Sequence, residues 1–102
     1  MALELRPNCE NCGKKLAPDA LEAWICSFEC TFCSACLKRL ANVCPNCGGG
    51  FMPRPIRPAK DRKGGNYLGK YPASSQPKHR PVDLAAHDKF VASLKDIPPE
   101  KR

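Results

Sequence analysis

The stretch CSFECTFCSACLKRLANVCPNC, residues 26–47, carries six of the chain's eight cysteines. Cys9 and Cys12 precede it, and no cysteine follows Cys47. The eight form four close pairs, Cys9/Cys12, Cys26/Cys30, Cys33/Cys36 and Cys44/Cys47. Eight thiolates complete two tetrahedral sites of four sulfurs, and zinc is the usual occupant of such a site in a reducing compartment. One Cys-x-x-Cys is weak evidence. Four clustered pairs, two of them closed by glycine as Cys12-Gly13 and Cys47-Gly48, are strong evidence. Glycine tolerates the positive φ that a tight reversal around a metal needs.

Working outward, the 102-residue chain has room for one small domain and a tail. The apolar residues of the first half are Leu3, Leu5, Leu16, Leu21, Trp24, Ile25, Phe28, Phe32, Leu37, Leu40 and Val43. That is thin for about 50 residues, which usually need staples. A structural zinc supplies on the order of 10 kcal/mol of folding free energy at neutral pH, so metal substitutes for the missing core. The start, Met1-Ala2-Leu3-Glu4-Leu5-Arg6-Pro7, lacks the apolar run of a signal peptide, and no segment approaches the ~20 apolar residues of a membrane span. A cytoplasmic, reducing location is therefore expected, with metal ligation rather than the competing disulfide framework, and with no membrane partner.

The pairs combine into two sites in three ways. A sequential scheme places Cys33, Cys36, Cys44 and Cys47 on one ion. Leu37–Val43, the seven residues between, read as a short helix that leaves little chain to turn back. A nested scheme crowds Cys26, Cys30, Cys33 and Cys36 into eleven residues. The interleaved scheme joins Cys9, Cys12, Cys33 and Cys36 on one zinc and Cys26, Cys30, Cys44 and Cys47 on the other. Each ion then has one glycine-closed knuckle, and Cys36 opens the helix, where the dipole favours thiolate. This is the pairing the spacing favours.

The formal charge of +7 is unevenly placed. Residues 1–52 carry five basic and five acidic side chains, and residues 53–102 carry twelve basic and five acidic ones. Two zincs on eight thiolates would take the first half to about −4 against a tail of +7, which makes the tail the electrostatic contact surface. Three regions follow: a two-zinc domain over 1–52, a Pro/Gly-rich basic strap or linker over 53–81, and a short amphipathic helix with the C-terminal tail over 82–102. Prolines 53, 55, 58, 72, 77 and 81 keep the strap extended or irregular. Ile56, Leu68, Tyr71 and Phe90 are expected to anchor the tail by apolar burial. Asp83 is placed to cap a helix over residues 84–95, with Leu84, His87, Val91 and Leu94 at helical spacing.

The order of pairs, Phe32 before Cys33-x-x-Cys36, and Cys44-Pro45-x-Cys47 resemble a RING finger over about residues 8–48, with cysteine in place of histidine at Cys30. The resemblance implies a cross-braced treble clef, a small metal-stabilised α+β fold with two Zn2+. A nearer likeness is to the bacterial domain of unknown function 1272, through Leu5-Arg6-Pro7-Asn8-Cys9-Glu10-x-Cys12, Ile25–Cys33 and Val43-Cys44-Pro45-Asn46-Cys47-Gly48-Gly49. That likeness implies zinc binding and brings no established activity.

Two closed all-thiolate sites leave no open metal position and no free Cys-x-x-Cys, so neither metal catalysis nor thiol redox chemistry is expected and the reading is of a non-enzyme. His79 and His87 read as solvated or packing residues. Ubiquitin-ligase-type recruitment, implied by the RING resemblance, is opposed by Asn11 and Gly48, where ligases carry an apolar and a basic residue. Two binding functions remain. One is a protein-interaction module offering Trp24, Phe28 or the tail. The other is nucleic-acid binding through Arg54, Arg57, Lys60, Arg62, Lys63, Lys70, Lys78 and Arg80, interleaved with Tyr67 and Tyr71.

Overall fold

The computed structural model describes residues 2–102. Three short strands, β1 (Ala23–Ile25), β2 (Thr31–Cys33) and β3 (Met52–Pro53), form an antiparallel sheet in the order β2-β1-β3. Trp24 lies opposite Phe32 on one side and Pro53 on the other. Helix α1 (Ser34–Arg39) follows β2 directly, and α2 (Leu84–Leu94) lies in the tail ahead of a 3-10 turn over Pro99–Lys101. The fold is small α+β, as expected.

The core gathers around sulfur. Six of the eleven buried residues in its main cluster are cysteines; the others are Leu16, Ala23, Phe32, Leu40 and Phe51. Phe32 meets Phe51 edge to face with centroids 5.4 Å apart, a favoured aromatic geometry. Leu21 and Phe28 do not join this core and are 86% and 69% exposed. Both sit in turns flanking β1, where the chain reverses over the surface.

Helix α1 begins earlier than the spacing predicts. Cys33, in extended conformation, is its N-cap, so Cys36 lies inside the first turn instead of opening the helix. Ala41 and Asn42, with φ of 56° and 58°, end it; the side-chain oxygen of Asn42 then receives the Phe51 N–H at 2.8 Å. An asparagine suits this left-handed position better than most residues.

Residues 54–83 hold no regular element, in keeping with their prolines. They still cross the metal-bearing half. The Arg54 guanidinium is buried and donates to the carbonyls of Arg6 and Ala17, both at 2.9 Å. Further along, Lys78 to Val82 lie on the segment Asn8–Asn11. The apolar anchors expected for this crossing are not what holds it: Ile56, Tyr71 and Phe90 are 47%, 38% and 36% exposed, and Leu68 is half-buried. Hydrogen bonds do the holding, from the Arg54 guanidinium, the Asn8 and Asn11 side chains, the Glu10 carboxylate and the peptide groups that the prolines leave free to pair. The radius of gyration is 14.7 Å, against about 13 Å for a compact chain of this length. The tail wraps the domain instead of completing its core.

Helix α2 docks as an amphipathic element. The Asp83 side chain accepts the Ala86 N–H at 3.2 Å, the expected N-cap, and the helix closes at Leu94 with Lys95 as C-cap. His87 is 4% exposed and its Nε2 donates to the Leu40 carbonyl at 2.9 Å. It is thus a packing histidine.

Candidate metal centres

Two of the four pairs form matching knuckles. In each, the N–H of the fifth residue returns to the carbonyl of the first cysteine: Gly13 to Cys9 at 3.0 Å and Gly48 to Cys44 at 2.8 Å. The first cysteine's own N–H bonds the sixth residue, Cys9 to Lys14 and Cys44 to Gly49, both at 2.8 Å. Gly13 and Gly48 have φ of 78° and 79°, the left-handed conformation for which glycine is suited. The third pair, Cys26/Cys30, spans the β1–β2 connection, where Glu29 occupies the left-handed region at φ 67°. The fourth brackets the start of α1.

These elements bring the thiols together by interleaving. The Sγ atoms of Cys9, Cys12, Cys33 and Cys36 all lie within 4.8 Å of one another, as do those of Cys26, Cys44 and Cys47. Cys30 falls outside that mutual distance but adjoins the second group: Asn46 Nδ2 donates to its Sγ at 3.4 Å, and its thiol is one of the neighbours that raise Cys44. The sequential and nested pairings are not what the fold assembles.

The spacing fits a tetrahedral metal. Four sulfurs at about 2.3 Å from a zinc lie roughly 3.8 Å apart; Cys12 and Cys33 are 3.7 Å apart, far beyond the ~2.05 Å of a disulfide. All eight cysteines are free. The donor set is soft and closed, which suits zinc-type ions. In each cluster one thiol, Cys12 or Cys47, is exposed and the others are buried.

The thiols also need a cation to ionise together. Burial and the neighbouring Cys33 and Cys9 thiols push Cys36 up to about 12, although Asn11 pulls the other way. Burial likewise raises Cys44, with Cys26 and Cys30 adding to the effect. At Cys9 burial opposes ionisation, yet the amides of Cys12, Cys33 and Asn11 bring the thiol below its ordinary value. A divalent ion reverses this mutual repulsion.

Beyond the cysteines, Asn11 and Asn46 each precede the second cysteine of a knuckle, and each donates to a sulfur of its own cluster. Asn11 Nδ2 reaches Cys36 Sγ at 3.3 Å, and Asn46 Nδ2 reaches Cys30 Sγ at 3.4 Å. Cysteine spacing does not point to this role. The repeated Asn-Cys at 11–12 and 46–47 was its available signal. Glu10, 1% exposed, is a second such residue. Its carboxylate accepts from Thr31 N at 2.6 Å, Arg6 at 2.8 Å and Arg80 at 2.9 Å, tying β2, the N-terminus and the tail to the first knuckle. Burial works against its charge, but these donors hold it below the usual carboxylate range.

A small α+β fold with two interleaved cysteine clusters suited to metal defines a cross-braced metal-binding protein of the zinc-finger kind. A family model described as "Protein of unknown function (DUF1272)" matches residues 2–57, and the chain belongs to that family. An uncharacterized protein of Rhizobium meliloti (strain 1021) is 53% identical over 74 residues, covering 72% of this chain and 81% of that one. No solved structure matches. Among the described residues no helix is long and apolar enough to cross a membrane.

Proposed function

We propose that the chain is a non-enzymatic, two-zinc scaffold of a reducing, cytoplasmic compartment, with Cys9, Cys12, Cys33 and Cys36 on one ion and Cys26, Cys30, Cys44 and Cys47 on the other, and that its work is to hold a rigid surface for contact with other proteins. The interleaved thiol clusters carry this reading. With four sulfurs on each, a bound ion would lack the open position of a catalytic zinc. Native mass spectrometry tests the proposal. Two zincs per chain and loss of the fold with a strong chelator support it; one zinc or none contradicts it.

A second reading rests on a separate observation. Lys60, Arg62 and Lys63 are exposed, and among the described residues none pairs with a carboxylate. With Tyr67 and Tyr71 close by, this stretch suits a nucleic-acid backbone and its bases. Titrating labelled RNA and DNA at two salt concentrations separates the readings. A steep loss of binding with salt, abolished by deleting 53–80, favours nucleic acid.

A further inference from the structure

Three alternate backbone N–H groups of the tail point at the first metal knuckle. Lys78 N donates to Asn8 Oδ1 at 3.2 Å, Arg80 N to the Glu10 carbonyl at 2.7 Å, and Val82 N to Asn11 Oδ1 at 2.8 Å. The Asn8 amide returns a bond to the Lys78 carbonyl at 2.7 Å. This is the period of an extended strand, in which every second residue faces one neighbour. Prolines occur at 77 and 81, out of phase with the three donors, where the missing N–H removes nothing. Glu10 meanwhile donates its own N–H to the Thr31 carbonyl of β2 at 3.0 Å. The segment Asn8–Asn11 is therefore an edge that accepts an extended stretch through one main-chain carbonyl and two asparagine side chains, and the tail segment Lys-His-Arg-Pro-Val occupies it in cis.

We infer that this edge is a binding groove for an extended, basic, proline-punctuated segment of another protein, which displaces residues 78–82. The inference rests on the reading of the chain as a zinc scaffold for protein contacts. Three observations select this occupant. The loaded domain is near −4 and presents the buried Glu10 carboxylate at the edge, which favours a cationic peptide. The family match ends at residue 57, so the edge belongs to the shared domain and its present occupant lies beyond it. The cis segment is held at its margin: the Arg80 side chain is 62% exposed, a cavity of about 450 Å3 remains between Phe32, Pro45, Val82 and Phe90, and the nearby His87 keeps a buried Nδ1 with no partner. Main-chain donors of such an extended segment supply affinity, and the side chains at alternate positions supply specificity.

The test uses a labelled peptide of residues 75–84 and the zinc-loaded full chain, as wild type and as Arg80→Pro, which removes one inward donor and one ion pair. A tethered occupant competes at an effective concentration on the order of millimolar. The peptide is expected to bind the Arg80→Pro chain at least ten-fold more tightly than wild type. Binding should fall at least ten-fold with Arg80→Pro in the peptide and clearly less with His79→Pro, which loses the ring bond to the Asn11 carbonyl at 3.0 Å but no inward main-chain donor. Indifference to proline position, or no binding to a chain that retains two zincs, overturns the inference while leaving the zinc reading intact. A tail-exchanged dimer in sedimentation also overturns it, by making a second copy the occupant. Should the variant fail to hold two zincs, hydrogen exchange on wild type decides. Unlabelled peptide must accelerate exchange at Lys78, Arg80 and Val82, and no acceleration counts against the inference.

Discussion

Asn11 and Asn46 occupy equivalent places and differ in one respect. Both donate to a cluster sulfur, but the Asn11 oxygen also receives the Val82 N–H. Outer-shell donors of this kind are worth ~10–100-fold in metal affinity. Asn46→Ala should weaken one zinc by about ten-fold in chelator competition and leave the tail docked. Asn11→Ala should weaken the other zinc and also speed hydrogen exchange at Val82. Glu10 gives a second test at this scale. Removing its charge leaves the mostly buried Arg6 guanidinium with only the partly exposed Glu4 carboxylate at 3.1 Å, so Glu10→Gln should cost about 2 kcal/mol in denaturant unfolding at pH 7, with two zincs still bound. The folded carboxyl lies below its ordinary value. Its contribution is therefore complete above the unfolded pKa of about 4.3 and is lost only as pH falls through the lower folded value. Stability lost between pH 7 and pH 5 belongs to the metal sites, and Glu10→Gln should leave that part of the profile unchanged.

At the scale of elements, the two knuckle glycines share a conformation and differ in what surrounds them. A Cβ at Gly13 would meet His79 at 3.6 Å, ordinary contact, whereas at Gly48 it would sit 2.9 Å from Phe90 Cζ on α2. Gly13→Ala should thus cost only the left-handed backbone term, about 1 kcal/mol. Gly48→Ala adds a clash and should also loosen α2, visible as faster exchange across Leu84–Leu94. Helix α2 was legible beforehand because Asp83, the apolar spacing and Pro98-Pro99 agree. α1 was misplaced by about three residues because cysteines obscure periodicity: Cys33 and Cys36 are set by ligation geometry, and Asn42 terminates the helix through a left-handed turn that no pattern of apolar residues announces. The grouping of Cys9, Cys12, Cys33 and Cys36 apart from Cys26, Cys44 and Cys47 was legible because loop length limits it. The contacts of Lys78 and Val82 with Asn8 and Asn11 were not, since they join segments about 70 residues apart through asparagine side chains and peptide groups that carry no spacing pattern.

Across the whole molecule, the tail's attachment has a physical signature distinct from the apolar strap expected from Ile56 and Tyr71. The inward N–H groups of Arg80 and Val82 go to uncharged acceptors, the Glu10 carbonyl and the Asn11 amide oxygen, so their exchange protection should change little between about 0.1 and 0.5 M salt, where exposed ion pairs such as Arg39–Asp88 are screened. Collapse of that protection in salt would show that charge, not these neutral hydrogen bonds, holds the tail. The proposed pair of ions would cross-brace the first half through interleaved cysteine pairs, and cadmium-113 substitution with heteronuclear correlation from each metal to cysteine Hβ protons reads that arrangement out. Two cadmium signals of tetrathiolate type are expected, one correlated with Cys9, Cys12, Cys33 and Cys36 and the other with Cys26, Cys30, Cys44 and Cys47. A single signal, or Cys33 and Cys47 correlated with the same ion, would contradict it.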